Sequence, residues 1–248
     1  MDFTGKHVVI TGASSGIGRA TAERIAAAGG RVSLIARRGA VLADVARAIG
    51  ASADGIVADV GCKEELIAAL DAALARHGAI DGLFLNAAAG GQFGPAVSYD
   101  EAEFEAVMRV NVVSPFWAIR HVLPAMVARG RGAILLTGSL ASERGMAGNI
   151  GYLASKHGTL GLARGIAMEV AAAGVRCNCL NPGFIDTQML AAVPGHQRAN
   201  MAMRTPQARI GRPEEAAAVA AFLLSDEASH VTAQSWAVDG GLLGTLAL

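Results

Sequence analysis

Cysteine is scarce in this chain, and its three residues, Cys62, Cys177 and Cys179, match no spacing of a common metal site. Cys177 and Cys179 alternate within a predicted strand, so both side chains are expected on one face, buried and in a structural role. No charged segment followed by a short apolar stretch, the pattern of a secretory signal, precedes the first predicted strand. We therefore expect a cytoplasmic protein with reduced thiols and no metal site.

Neither sign of charge is in excess, because 21 basic residues balance 21 acidic ones. Such a chain has no overall field that attracts nucleic acid or an anionic membrane, so any phosphate site must be local. No apolar run reaches the roughly 20 residues that a membrane-spanning helix needs. Proline is scarce, with 7 residues, whereas glycine numbers 31 and hydrophobic residues make up 52%. This balance favours one large α/β domain with tight turns.

Short apolar runs rich in β-branched residues alternate with alanine-rich amphipathic stretches along most of the chain. This alternation is typical of a parallel sheet covered by helices on both faces. It predicts strands at residues 7–10, 31–35, 55–58, 82–85, 133–136 and 175–180, and helices at 19–28, 41–49, 63–77, 104–126 and 152–172. We therefore predict an α/β fold, a single doubly wound Rossmann-type domain spanning residues 1–248.

Residues 192–212 depart from this alternation, with weak periodicity and two prolines. Long irregular connections in compact domains often close over ligand sites. We interpret residues 188–212 as a mobile substrate flap whose base lies near Thr187 and Gly211. A pair of surface helices is the alternative interpretation.

A glycine-rich turn, Thr-Gly-Ala-Ser-Ser-Gly-Ile-Gly at residues 11–18, follows the first predicted strand and opens the first helix. Glycine permits close backbone approach, and a helix N-terminus offers unpaired N–H groups to a pyrophosphate. This context favours a dinucleotide site, with a tight packing turn as the alternative. The residues predicted to bind the cofactor here are Gly12, Ser14, Ser15, Gly16, Ile17 and Gly18.

The second predicted strand ends near Ala36, where dinucleotide folds distinguish a ribose 2′-hydroxyl from a 2′-phosphate. An acidic residue there would bind the hydroxyl, but the chain continues with Arg37 and Arg38. Guanidinium groups favour a 2′-phosphate, so we predict NADP as the cofactor in preference to NAD. An exposed basic pair that binds no ligand is the alternative.

Asp59 and Val60 follow the third predicted strand. The Asp59 carboxylate could accept a hydrogen bond from the adenine amino group, with Val60 covering the ring. Asp59 could equally bond backbone amides ahead of the next helix. Both alternatives stay open at this point.

Tyr152 and Lys156 lie four residues apart in a predicted helix, so they share a face. A phenol is a weak acid–base catalyst at neutral pH, but a nearby ammonium is expected to lower the pKa of Tyr152. Ser139 ends an apolar strand, where side chains of α/β sheets face the ligand crevice. This trio can move a proton and hold a substrate oxygen, whereas the Tyr-Lys pair alone is more typical of a solvated helix face.

Asn111 is an amide within an apolar helical run, so it needs a hydrogen-bonding partner. It could bond the backbone and support an ordered water that connects Lys156 to solvent. An amide at a helix kink, without a catalytic role, is the alternative.

Together these motifs resemble the short-chain dehydrogenase/reductase family over residues 5–241. The resemblance is carried by the glycine-rich turn, Leu-Asn-Ala-Ala at 85–88, Asn111, Ser139 with Tyr152 and Lys156, and Pro-Gly-Phe-Ile-Asp-Thr at 182–187. The chain departs from the family pattern at Leu85, usually asparagine, and at Ala88, usually glycine. It also has Ser15 where many NADP-preferring relatives have a basic residue, so the NADP prediction depends on Arg37 and Arg38.

The resemblance implies a sheet of about seven parallel strands and a homotetramer with subunit contacts at residues 237–241. It implies that Tyr152 is the catalytic acid or base and that Lys156 also binds the nicotinamide ribose. Ser139 would orient the carbonyl, and Asn111 would sustain the proton relay. The further cofactor contacts that it implies are Asn86, Ala87, Pro182, Gly183, Ile185 and Thr187.

We expect an NADP-preferring oxidoreductase that interconverts a secondary alcohol and a ketone, with no nucleic-acid or membrane partner. A 3-oxoacyl-thioester (acyl-carrier-protein) reductase is an alternative, although no cluster of basic residues marks the predicted pocket. A non-catalytic NADP-sensing protein, and a lyase or epimerase on the same fold, are the others. The predicted substrate residues are Gln92, Phe93, Ser139, Ala141, Ser142, Met146, Asn149, Tyr152, Phe184 and Met189.

Overall fold

The structure is a computed structural model that describes residues 1–191 and 193–245. Within these ranges the strands are β1 (His7–Thr11), β2 (Arg31–Ala36), β3 (Ala53–Val57), β4 (Gly82–Leu85), β5 (Gly132–Thr137), β6 (Val175–Pro182) and β7 (Ser235–Val238). They form one sheet in the order β3-β2-β1-β4-β5-β6-β7, and every neighbouring pair is parallel. This confirms the predicted doubly wound sheet, whose order reverses between β1 and β4, the place where such sheets bind ligands.

Helices cover both faces of the sheet. They are α1 (Gly16–Ala27), α2 (Gly39–Ile49), α3 (Lys63–His77), α4 (Glu101–Met108), α5 (Ser114–Ala128), α6 (Ile150–Val170), α7 (Gln188–Ala191), α8 (Gly195–Arg204) and α9 (Pro213–Leu224). Val8 and Ile10 pack with α1, α2 and α9, whereas Val9 packs on the opposite face with α3, α5 and α6. Cys177 and Cys179 lie buried on this second face, as predicted.

The predicted helix at 104–126 is divided into α4, a turn of π-helix at Arg109–Val113, and α5. Pro115 explains the irregularity, because proline has no N–H and its ring clashes with the carbonyl four residues earlier. That carbonyl belongs to Asn111, and it accepts a hydrogen bond from Thr159 Oγ1 at 3.0 Å instead. The continuous helix expected from the apolar pattern was therefore wrong at this point.

Two other elements begin or end one or two residues away from their predicted boundaries. The helix expected at 152–172 begins at Ile150 and ends at Val170, because the Asn149 side chain accepts from the Tyr152 amide and caps it. The strand expected at 55–58 is β3, which ends at Val57.

The segment predicted as a flap contains α7 and α8, and neither helix has a buried side chain. Its ends meet where Ile185 and Gly211 form an isolated parallel bridge. Asp186 N donates to Gly211 O at 2.9 Å, and Gly211 N donates to Phe184 O at 2.8 Å. The secondary structure of this segment is therefore the pair of surface helices given as the alternative interpretation. Ala192 lies outside the described residues. The mobility of the segment stays a prediction.

No helix in the described ranges is both long enough and apolar enough to cross a membrane.

Candidate active site

The carboxyl ends of the central strands are tied together by Asn86, which follows β4. Its backbone N–H donates to Thr11 Oγ1 at 3.0 Å, and its side-chain Nδ2 donates to Thr11 O at 3.2 Å and Gly12 O at 3.3 Å. Thr137, the last residue of β5, donates from Oγ1 to Asn86 Oδ1 at 3.3 Å. Asn86 and Ala87 therefore lie against the glycine-rich turn, and their contact with a cofactor stays a prediction.

The glycine-rich turn packs so tightly against Asn86 that side chains are excluded. A Cβ atom on Gly18 would lie 2.6 Å from Asn86 Nδ2, and Gly16 adopts a φ of +56° that disfavours other residues. The turn opens α1, whose first turn has no acidic residue and whose Ser15 makes no side-chain capping bond. Tight packing, the alternative interpretation of this turn, therefore explains why glycine occupies these positions. The uncapped N-terminus of α1 also fits a pyrophosphate.

Of the two arginines after β2, Arg38 contacts this turn. Arg38 Nη2 donates to Ser14 Oγ and to Ser15 Oγ, both at 2.9 Å. Arg37 is exposed, and its Nη1 lies 3.7 Å from Asp59 Oδ2. The preference for NADP that Arg37 and Arg38 suggest stays a prediction.

Cys62 is the N-cap of α3, and Asp59 bonds one backbone amide ahead of that helix. Its Oδ1 accepts from Gly61 N at 2.8 Å, while its own N–H donates to Glu65 Oε2 at 2.8 Å. Val60 is buried with 7% exposure and packs in the core. Their predicted contacts with adenine stay predictions.

The loop after β6 approaches the same turn. A Cβ atom on Gly16 would lie 3.0 Å from Thr187 Cγ2. Pro182 ends β6, and Gly183 N donates to Val238 O at 3.0 Å. The Ile185 side chain is buried in the core, and its predicted contact with the cofactor stays a prediction.

The predicted catalytic trio is brought together by β5 and α6. Lys156 Nζ donates to the Thr137 carbonyl at 2.7 Å and lies 5.5 Å from the centre of the Tyr152 ring. Ser139 begins a 3₁₀ turn at Leu140–Ser142, and its Oγ accepts from Ala141 N at 3.2 Å. The phenol, the hydroxyl and the ammonium therefore converge at the carboxyl end of the sheet.

Burial controls the electrostatics of this trio. Lys156 is 2% exposed, and desolvation lowers its pKa to about 8, although the nearby Cys179 opposes the shift. Desolvation raises the pKa of Tyr152, and a hydrogen bond with the Ser139 side chain acts in the opposite direction. The pKa of Tyr152 is therefore raised rather than lowered in this structure, and desolvation is the largest cause.

Asn111 is buried in the π-helical turn and bonds the loop after β4. Its Oδ1 accepts from Ala89 N at 2.8 Å, and its Nδ2 donates to Ala89 O and to Ser155 Oγ, both at 2.9 Å. The structure places Asn111 at a helix irregularity, as its alternative interpretation held. A part in proton relay stays a prediction.

The predicted substrate residues divide by exposure. Phe93 and Met189 are 77% and 51% exposed, so both are available to a ligand. Ser142 is buried, and its Oγ accepts from Ser139 N at 3.1 Å. Asn149 is also buried, and its Oδ1 and Nδ2 both bond within the protein, so contact with a substrate stays a prediction. The remaining predicted contacts, Gln92, Ala141, Met146 and Phe184, lie on the loops after β4, β5 and β6.

Two residues that support this site, Thr137 and Tyr99, are not predicted by the sequence. Thr137 holds Lys156 through a backbone carbonyl, for which a sequence has no signal. Tyr99 donates to Asn149 at 3.2 Å, and the available signal was that Tyr99 and Tyr152 are the two tyrosines of the chain. Among the described residues, no group of three or more potential ligands from His, Cys, Asp and Glu could hold a metal ion.

Known proteins match the chain over nearly its whole length. A family model described as Enoyl-(Acyl carrier protein) reductase matches residues 12–243. Levodione reductase of Leifsonia aquatica is 38% identical over 255 residues, which cover 96% of this chain and 94% of that protein. Cyclohexanol dehydrogenase of Acinetobacter sp. (strain SE19) is 38% identical over 246 residues, covering 96% and 95% respectively.

Solved structures share the fold. The crystal structure of levodione reductase has a TM-score of 0.94 and 37% identity, covering 98% of this chain and 100% of that one. 3-Ketoacyl-(acyl-carrier-protein) reductase from Brucella melitensis, complexed with NADH, has a TM-score of 0.92 and 32% identity, covering 97% and 99%. The matches and the assembled trio lead to one conclusion: this chain is an oxidoreductase that belongs to the short-chain dehydrogenase/reductase family.

Proposed function

We propose that this enzyme interconverts a secondary alcohol and a ketone, with NADP preferred over NAD and Tyr152 as the acid or base. The observation that carries the proposal is the convergence of Tyr152, Ser139 and the buried Lys156 ammonium. A bound nicotinamide supplies or accepts the hydride. The protein's own part is to hold the carbonyl oxygen and to move the proton.

Tyr152 serves ketone reduction as a protonated phenol. Its raised pKa keeps the proton on the hydroxyl at neutral pH, where it can be donated to the carbonyl oxygen as negative charge develops there. The Ser139 hydroxyl donates to the same oxygen and fixes its direction. In alcohol oxidation the roles reverse, and the deprotonated Tyr152 accepts the proton of the alcohol.

The NADP preference rests on Arg37 and Arg38. Arg38 is held against Ser14 and Ser15 by two hydrogen bonds, so one guanidinium is already oriented at the turn. A guanidinium can bond a phosphate through two parallel N–H groups, whereas a ribose hydroxyl offers no such match. The Brucella melitensis relative was solved with NADH, so relatives of this fold also bind the cofactor without the 2′-phosphate.

The substrate class that we propose is a neutral cyclic ketone or alcohol. Levodione reductase and cyclohexanol dehydrogenase are named for such compounds, and the exposed Phe93 and Met189 offer an apolar wall. A 3-oxoacyl thioester is the second candidate, because the Brucella melitensis relative is named for that activity.

The proposal also includes a mobile flap at residues 188–212, a homotetramer and a cytoplasmic location. The proposal of a flap is supported by α7 and α8, which have no buried residue, and by the two backbone hydrogen bonds that join the ends of the segment. The family resemblance supports the tetramer, and three free cysteines support a reducing compartment.

The test is initial-rate kinetics with NADPH and NADH against cyclic, aryl, aliphatic and 3-oxoacyl ketones, for wild type and Tyr152→Phe. We expect turnover of cyclic ketones with NADPH and its loss in Tyr152→Phe, with NADPH binding retained in a fluorescence titration. Near-normal turnover of Tyr152→Phe would overturn the catalytic assignment. Turnover restricted to 3-oxoacyl thioesters would replace the cyclic substrate class.

A further inference from the structure

We propose that Asn149, supported by Tyr99, is a positioning residue that aligns the catalytic Tyr152 with the loop forming one wall of the active site. The proposal rests on the proposed role of Tyr152 as acid or base. It assigns Asn149 a function other than contact with substrate.

Asn149 acts on Tyr152 through the backbone. It is 1% exposed and is the N-cap of α6, and its Oδ1 accepts from the Tyr152 amide at 3.1 Å. An N-cap of this kind orients the first helical turn by bonding a free amide donor. Here that donor belongs to the catalytic residue itself, so the cap determines where the phenol points.

Tyr99 holds the cap in place. Its hydroxyl donates to Asn149 Oδ1 at 3.2 Å. The hydroxyl enters a gap that two glycines leave open, since a Cβ atom would lie 2.9 Å from it on Gly91 and 2.8 Å from it on Gly151. Asn149 Oδ1 thus accepts two hydrogen bonds, one from the helix that carries Tyr152 and one from the loop that carries Tyr99.

The same side chain secures the loop after β4. Asn149 Nδ2 donates to Gly90 O at 2.8 Å, next to Ala89, which is bonded at both its N–H and its carbonyl by Asn111. Three residues further along, Phe93 lies close to Gly148, where an added Cβ atom would be 3.6 Å from the Phe93 ring. A shift of Asn149 would therefore move the wall and the phenol together.

Removing the amide leaves buried groups without partners. The Tyr152 amide and the Gly90 carbonyl would both lose their hydrogen bonds inside the protein, which favours local rearrangement. Proton transfer depends on donor and acceptor placement to a fraction of an ångström. Loss of positioning therefore reduces kcat more than it affects cofactor binding.

The experiment compares Asn149→Ala, Asn149→Ser and Tyr99→Phe with Asp100→Ala as the matched control. Asp100 is the exposed N-cap of α4 and accepts from Glu103 N at 2.8 Å, so its loss removes an N-cap bond from a helix without Tyr152. The measurements are kcat and KM for the ketone, NADPH binding, the melting temperature, and the pH dependence of alcohol oxidation.

We expect Asn149→Ala to lower kcat by ~100-fold and Tyr99→Phe by ~10-fold, with NADPH binding nearly unchanged. Asn149→Ser should recover part of kcat, because serine also caps helices. The acidic limb of alcohol oxidation, where Tyr152 must lose its proton to act as the base, should move to higher pH, since a displaced phenol loses the Ser139 hydrogen bond that lowers its pKa. Asp100→Ala should lose stability but keep kcat and the pH profile.

Wild-type kcat and pH profile in folded Asn149→Ala would overturn the inference, as would equal changes in Asp100→Ala. If Asn149→Ala does not fold, the kcat and pH profile of Tyr99→Phe decide whether the positioning role holds, because this variant removes one hydroxyl and keeps the ring. An active Tyr152→Phe would instead overturn the proposed function. An inactive Tyr152→Phe with normal Asn149 and Tyr99 variants overturns the positioning role alone.

Discussion

The Lys156 ammonium nitrogen lies 5.5 Å from the centre of the Tyr152 ring and is anchored by the Thr137 carbonyl at 2.7 Å. Both groups are desolvated, which shifts the two pKa values in opposite directions: that of Lys156 falls to about 8, and that of Tyr152 rises. Near neutral pH the trio therefore contains an ammonium and a protonated phenol. This is the protonation state that ketone reduction requires.

The rate of ketone reduction should depend on the charge of Lys156. Because its pKa is about 8, the charged form predominates below that pH and is lost above it. We expect kcat for reduction to fall as the pH rises through about 8, and Lys156→Met to lower kcat by roughly 100-fold or more. A kcat profile measured from acidic to basic pH for both proteins checks this, and a flat wild-type profile across pH 8 would contradict it.

Gly138 should tolerate no side chain. A Cβ atom there would lie 2.0 Å from Asn181 Oδ1 and 2.7 Å from both Cys179 Sγ and Ser142 Oγ. We expect Gly138→Ala to displace the neighbouring Ser139, to lower kcat, and to cost about 1–3 kcal/mol in the free energy of unfolding. The measurements are kcat and urea unfolding.

Gly145→Ala is the control for that substitution. It lies in the same loop region, and an added Cβ atom would have nothing within 4 Å. It should therefore retain wild-type kcat and stability. Equal effects of the two substitutions would show that the crowding around Gly138 is not the cause.

Arg37→Ala and Arg38→Ala should weaken NADPH binding and leave NADH binding nearly unchanged. A charge-assisted hydrogen bond contributes about 1.5–3 kcal/mol, which corresponds to roughly a 10- to 100-fold rise in the Kd for NADPH. Arg47→Ala is the matched control, because Arg47 is an exposed arginine that pairs with Asp44 on α2. Fluorescence titration with both cofactors measures the effect, and equal losses for NADPH and NADH would contradict a 2′-phosphate contact.

His7 should make the fold sensitive to acid. It is 2% exposed, its Nε2 lies 2.9 Å from Ser33 Oγ, and its ring packs 5.1 Å from that of His77. Burial lowers the pKa of His7 below its ordinary value of 6.5, with a further lowering from His77, so the unfolded chain binds the proton more readily. Stability is therefore complete above about pH 6.5 and decreases below it.

The effect of His7 has an upper limit of about 1.4 kcal/mol per pH unit for one proton. Urea unfolding at several values between neutral and mildly acidic pH measures this slope. His7→Gln should have a shallower slope than wild type, whereas His121→Gln, which changes a histidine paired with Asp71 on the surface, should not. A His7→Gln slope equal to that of wild type would contradict the prediction.

The class of fold and the three members of the predicted catalytic trio could be predicted from the amino-acid sequence. Apolar runs that alternate with amphipathic stretches predict a doubly wound sheet, because burial on both faces requires that pattern. Ser139, Tyr152 and Lys156 follow from strand ends and helical spacing, which are local properties. The two ends of the segment around α7 and α8 were also placed near Thr187 and Gly211 from local composition.

What surrounds these residues depends on the folded chain. Asn149 is predicted as a substrate contact, and in the fold Tyr99, 50 residues earlier in the chain, donates to the same Oδ1 atom that accepts from the Tyr152 amide. The Tyr152 pKa moves upward because folding desolvates the phenol, a quantity that spacing from Lys156 does not contain. Spacing along the chain determines which side chains share a face, whereas burial and partners depend on distant segments that meet when the chain folds.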